Sequence, residues 1–139
     1  MSICVFCKIL SGEFEASFVA RGEHCSAFMD INPLAKGHLL VVPNKHIERM
    51  KDLDADTATE MFKMANDVHK AMLKAEGLEF SGANFFLSDG CDAGQEVGHL
   101  HIHIAPRNAD DGIRIAAGKH HSSERQSLDA LAANIGAHL

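Results

Sequence analysis

A chain of 139 residues, 46% hydrophobic and 23% charged, is long enough to bury one core without disulfide staples. Its formal net charge of −6 excludes the broad basic footprint needed to bind along a nucleic-acid backbone. The longest apolar runs, such as Leu39–Pro43, are too short to span a bilayer.

The N-terminus lacks the basic-then-apolar order of a signal peptide, so a cytoplasmic chain is expected. Residues 3–10 read as a short helical turn closed by Ser11 and Gly12. Glu15–Ala20 and Cys25–Asp30 read as short strands around the turn Arg21-Gly22-Glu23. Asn32-Pro33 and Lys36-Gly37 mark turns. His38–Pro43 is almost continuously apolar, which predicts a strand at the centre of a sheet.

Asp54 to Glu76 carries the main helical pattern, with Ala58, Met61, Phe62, Ala65, Val68 and Met72 on one face. Thr57 and Glu60 have capping-box spacing, and Gly77 suits the stop. Met64, Ala71 and Leu73 widen the apolar face, towards either the sheet or another subunit. Asn84–Ser88 reads as a further strand and residues 89–94 as a turn-rich loop. After Arg107 the chain is small and polar until Leu128, Leu131, Ala132 and Ile135 mark a short helix. The expected class is α+β: an antiparallel sheet of about five strands, one long helix and a short C-terminal helix.

The stretch Gly98–Arg107 carries the chemistry. His99, His101 and His103 alternate with Leu100, Ile102 and Ile104. Period two is the strand period, so the aliphatic side enters a core and the imidazoles line a surface or cleft. Imidazole is the common group for nucleophilic, proton-transfer and metal work near neutral pH. An acidic chain that binds a small anion needs local donors, and the histidines, backbone amides and Arg107 are the candidates.

The pattern Gln95-x-Val97-x-His99-x-His101-x-His103-x-x-Pro106-Arg107 resembles the signature of the histidine triad (HIT) superfamily of nucleotidyl hydrolases and transferases. Upstream, Ala27–Pro33, Gly37–Pro43 and Lys45-His46 follow in the order that family uses. Cys4-Val5-Phe6-Cys7-Lys8-Ile9 is similar to the start of its bacterial branch. The resemblance implies a HIT domain over residues 1–107 and a homodimer with paired sheets, and residues 108–139 are expected as a C-terminal extension packed on the same domain. It implies cleavage at the α-phosphate of purine nucleoside phosphoramidates or dinucleoside polyphosphates.

In that scheme a neutral nitrogen of His101 attacks phosphorus and forms a nucleotidyl-imidazole, which water then cleaves. His103, His38, Gln95 and Ser88 are implied to serve phosphate and leaving group, together with Gly94. Phe6, Phe28, Asp30 and Ile31 match the nucleoside pocket, although aromatic and aliphatic side chains of this kind are also ordinary core residues. His120, His121 and Lys119 read as a solvated loop.

Cys4 and Cys7 form a CxxC pair, open on its own to a redox or a metal reading. With His46 and His99 it makes an S₂N₂ set suited to closed, structural zinc, and the resemblance to zinc-containing bacterial relatives favours that. Cys25 and Cys91 read as passive. Three other readings compete with the hydrolase: a transferase passing the nucleotidyl group to another acceptor, a nucleotide-binding or adaptor protein with little turnover, and a redox or metal-buffer protein built on Cys4 and Cys7. The third histidine, His103, leans towards hydrolysis, because the transferase branch replaces it.

Overall fold

The computed structural model describes residues 3–139. The expected domain begins at residue 1, and its first two residues lie outside that range. The elements run α1 (Val5–Leu10), β1 (Phe18–Arg21), β2 (Cys25–Met29), β3 (Leu39–Pro43), α2 (Ala55–Met72), β4 (Gly82–Phe86), β5 (Ile102–Arg107) and α3 (Arg125–Gly136). One antiparallel sheet of five strands has the order β1-β2-β3-β5-β4. This is the expected α+β architecture, with the apolar strand at its centre.

β3 is apolar throughout because both of its faces are covered. Leu39 and Val41 meet Met61, Ala65, Val68 and Met72 of α2, together with Cys25, Ala27 and Ile104. Leu40 and Val42 pack on the opposite face with Phe28 and with Phe6 of α1. The sheet is thus a two-sided core, and the α1 side is where the histidines emerge.

The boundaries shift where tertiary contacts decide them. β1 runs from Phe18 to Arg21 and not from Glu15, because pairing with β2 begins at Phe18↔Phe28. β4 ends at Phe86, two residues before the expected Ser88, because its register with β5 runs from Gly82↔Arg107 to Phe86↔His103. α2 leaves helical geometry after Met72, ahead of Glu76. Phe62 is 76% exposed, since the buried face instead follows Thr57, Met61, Ala65, Val68 and Met72.

The start of α2 also differs. Asp54 is the N-cap, accepting the Thr57 N–H at 3.0 Å and its hydroxyl at 2.8 Å. Glu60, expected in a capping box, accepts the backbone N–H groups of His24 and Cys25 at 3.1 and 3.3 Å, tying the β1–β2 turn to the helix. Asp54→Ala is expected to lower stability by about 1 kcal/mol in urea unfolding, with the m-value unchanged.

Beyond β5, Arg107 holds the chain as far as Ile113. Its guanidinium meets both Asp111 oxygens at 2.7 and 3.1 Å, and donates to Asn84 Oδ1 and Ile113 O. Residues 114–139 are all exposed in the single chain, and α3 has no buried residue. Among the described residues, no helix is long and apolar enough to cross a membrane.

Candidate active site and metal centre

β5 lies between β3 and β4, so His103 is paired across the sheet with Leu40 on one side and Phe86 on the other. The Phe86 ring stacks on His103 at 4.3 Å between centroids, nearly parallel at 7°. Ladder pairing starts at Ile102, and ahead of it Leu100 N–H donates to Ile47 O at 2.7 Å, tying the histidine segment to the chain after β3. Leu100 and Ile104 are buried on the α2 side, as the alternation requires. The imidazole side is largely enclosed: His99 is fully buried and His101 nearly so.

A cleft of about 470 Å³ opens on this side. It brings together His38, His101 and His103 with Phe6, Phe28, Asp30, Ile31, Ser88 and Gly94. Ile31 stands at the rim, 84% exposed, whereas Phe6 and Phe28 are buried and meet edge-to-face at 5.5 Å. Both rings therefore belong to the core and to the cleft wall at once.

The hydrogen bonds fix the tautomers. A carbonyl oxygen only accepts, so His101 Nδ1–H donates to His99 O at 2.7 Å, leaving the lone pair on Nε2. His38 Nδ1 accepts the Leu34 N–H at 2.9 Å, so neutral His38 carries its proton on Nε2. That Nε2–H donates to His103 Nδ1 at 3.0 Å, with Asp30 Oδ2 at 3.7 Å from the same nitrogen. Neutral His103 then carries its own proton on Nε2.

Burial pushes His38 below the usual imidazole range, against the opposing pull of Asp30. His103 is pushed down to about 4, first by burial and then by His101 and His38. Both rings are held neutral near pH 7, as this donor chain requires.

Gln95 does not line the cleft. Its Oε1 accepts Gly90 N–H at 2.7 Å, and its Nε2 donates to Glu48 O and Val97 O at 2.9 and 3.1 Å. Its side chain fastens the 89–98 loop to the segment after His46. Arg49 adds a second clasp, donating to Asp89 Oδ1 at 2.8 Å. Arg107, expected as an anion donor, is instead consumed by Asp111, Asn84 and Ile113 O.

The second cluster joins Cys4, Cys7, His46 and His99, whose ligand atoms all lie within 4.8 Å of one another. His99 Nε2–H donates to Pro43 O at 2.8 Å, which leaves Nδ1 unprotonated and facing the thiols. That nitrogen is 3.4 Å from Cys4 Sγ and 3.6 Å from Cys7 Sγ, and Cys7 Sγ is 3.4 Å from His46 Nδ1. Zinc bonds of 2.0–2.3 Å in a tetrahedron put ligand atoms about 3.3–3.8 Å apart, so this donor set fits that ion. Burial and the neighbouring Cys4 push the Cys7 thiol up when no cation is present.

Sequence reasoning missed Phe86, the Leu34 amide, the Pro43 carbonyl and Glu96, which also lines the cleft. The two backbone groups leave no side-chain signature. Phe86 became legible only through the β4–β5 register.

A sheet with α1 and three imidazoles on one side and α2 on the other defines a nucleotide-sized cleft beside a thiol–imidazole centre. A family model described as HIT domain matches residues 11–110, and the chain belongs to that family. It is 44% identical over 117 residues to an uncharacterized HIT-like protein of Methanocaldococcus jannaschii, covering 84% of this chain and 88% of that protein. An adenosine 5'-monophosphoramidase of Saccharomyces cerevisiae is 32% identical over 75% of this chain and 62% of its own length. A bis(5'-nucleosyl)-tetraphosphatase of Schizosaccharomyces pombe is 37% identical over 66% of this chain and 49% of its own. A crystal structure of a HIT family member from Bacillus subtilis superposes with a TM-score of 0.89 at 32% identity, covering 99% and 98% of the two chains. A zinc-bound histidine triad protein from Mycobacterium smegmatis gives 0.75 at 29% identity, covering 98% and 97%.

Proposed function

We propose that the chain is a nucleotide hydrolase acting at the α-phosphate of purine nucleoside phosphoramidates or dinucleoside polyphosphates. The observation that carries this reading is the Nδ1–H bond from His101 to His99 O, which leaves Nε2 basic on a ring lining the cleft. The names of the yeast relatives, a phosphoramidase and a tetraphosphatase, are in keeping with it.

In the proposed cycle the His101 Nε2 lone pair forms a bond to phosphorus as the bond to the leaving atom breaks. His103 Nε2–H supplies the proton that the leaving atom takes, and His38 holds His103 in that tautomer. Water then adds to the nucleotidyl-imidazole, its proton returns to the site, and the nucleoside monophosphate leaves with His101 neutral again. Asp30 accepts from ribose hydroxyls, Phe28 and Ile31 hold the base beside Phe6, and Ser88 and Gly94 meet the phosphate side. Gln95 acts by fastening the loop that carries Gly94.

Cys4, Cys7, His46 and His99 would hold a structural zinc ion, which ties α1 to the catalytic segment and supplies no step of the reaction. A second copy of the chain is the proposed partner. The exposed apolar residues Leu128, Leu131 and Ile135 of α3 and Phe62 of α2 support it. The 108–139 extension would find its packing there, and the cytoplasm is the proposed compartment.

The test is single-turnover reaction with adenosine phosphoramidate and with diadenosine tetraphosphate, followed by alkaline quench and mass spectrometry. The expected result is an adenylyl adduct on the peptide carrying His101, because phosphoimidazoles survive base better than acid. Turnover without an adduct when hydrolysis of the intermediate is rate-limiting would contradict the covalent route. Transfer to an added nucleophile in preference to water would favour the transferase. Saturable binding without turnover would favour the adaptor reading.

A further inference from the structure

The cleft is built for an anion yet holds no strong cation. Among the described residues lining it there is no lysine or arginine, and its two formal charges are the carboxylates of Asp30 and Glu96. Arg107 and Arg49 are the arginines flanking the site in sequence, and both are engaged by aspartates. Asp30 is accounted for beside His38. Glu96 is not: it is exposed, and among the described residues none forms a hydrogen bond or ion pair with its carboxylate.

The topology says which end of a substrate Glu96 faces. Phe28, Asp30 and Ile31 come from β2 and the loop after it, on one side of β5. Ser88, Gly94 and Glu96 come from the loop joining β4 to β5, which Gln95 fastens to Glu48 beyond the end of β3, whereas Asp30 and Ile31 lie beside the start of β3. With a nucleoside against the first set and phosphorus at His101, the group that departs lies towards the second. There the cleft continues into a groove that shares Val5, Glu96 and Val97 with it and adds Glu48. A departing group therefore meets two carboxylates and, among the described residues lining either cavity, no lysine or arginine.

We propose that Glu96 is a specificity-determining residue that selects the leaving group by charge. It favours amines that carry a further positive charge and disfavours oligophosphates. This rests on the hydrolase reading above and narrows it to phosphoramidates of cationic amines. A carboxylate about 6 Å from a unit charge in water changes its binding about threefold, and the effect grows with the number of charges. Exposure makes the effect salt-dependent, with a screening length of about 8 Å at physiological ionic strength and about 3 Å at 1 M.

The experiment compares kcat/KM of wild type and Glu96→Gln on three probes. These are the adenosine phosphoramidates of butylamine and of diaminobutane, and diadenosine tetraphosphate. Wild type is expected to prefer the diaminobutane compound about threefold over the butylamine compound, a preference lost in Glu96→Gln and in wild type at 1 M salt. The tetraphosphate is expected to be cleaved about threefold or more faster by the variant. Equal charge response in the two proteins overturns the Glu96 assignment and leaves the hydrolase reading standing. If wild type cleaves none of the probes, the hydrolase reading fails instead. The same three compounds then serve as ligands in calorimetry, where the same order of affinities supports Glu96 as the selector and a flat order overturns it.

Discussion

His101→Asn is expected to lower turnover of adenosine phosphoramidate at least about 10³-fold while the protein remains folded, the usual scale for loss of a nucleophile. Asparagine is chosen over alanine for a geometric reason. The His101 ring is nearly buried, packs edge-to-face on Phe6 at 5.1 Å, and satisfies His99 O through Nδ1–H. An alanine would leave a gap and an unpaired buried carbonyl, costing about 1–3 kcal/mol. The asparagine amide can donate to the same carbonyl but offers no basic nitrogen at the Nε2 position. A fall in kcat with nucleotide affinity and melting temperature little changed would identify a chemical role. Steady-state assays paired with nucleotide titration measure both. Unaltered turnover would remove His101 from the reaction and overturn the covalent route.

The sequence was most legible where one residue pattern had one physical solution. β3 could be placed centrally because only a strand covered on both faces is apolar at every position, as Leu39 to Val42 are. The alternation through His99, His101 and His103 marked the two faces, although ladder pairing begins only at Ile102 and leaves His99 and His101 ahead of β5. Residues at the cleft followed from resemblance, and most of them converge there. Gln95 shows where that route stops: its place in the motif is unchanged, but both ends of its amide are spent within the loop and on Glu48 O. Which partners a polar side chain finds depends on chain segments far away in sequence. The capping of α2 failed for a similar reason, because Glu60 is drawn to the β1–β2 turn, leaving Asp54 to cap the helix. Tautomers were illegible altogether, since the Leu34 amide and the His99 and Pro43 carbonyls that set them are backbone groups.

Replacing Cys4 and Cys7 by serine together is expected to abolish a stoichiometric zinc ion, measured by elemental analysis. It is also expected to lower the melting temperature by roughly 10 °C, for a loss of about 3 kcal/mol. The ligand atoms come from three separated segments: α1 and its cap, the stretch after β3, and the start of the histidine segment. An ion joining them stabilises the folded chain alone, since the unfolded chain has no such cluster to bind it. Serine keeps the size of cysteine but is a poor zinc ligand, so the substitution tests the metal and not the packing. Turnover should fall far less than in His101→Asn, because His99 reaches the cleft only through its carbonyl, which holds His101 Nδ1. A redox protein would reverse the order: loss of Cys4 and Cys7 would abolish function and His101→Asn would spare it. A zinc ion that is present and removable without change in stability would contradict the structural role. The two double comparisons, metal content against melting temperature and cysteine against histidine variants, therefore separate a tether from a catalyst.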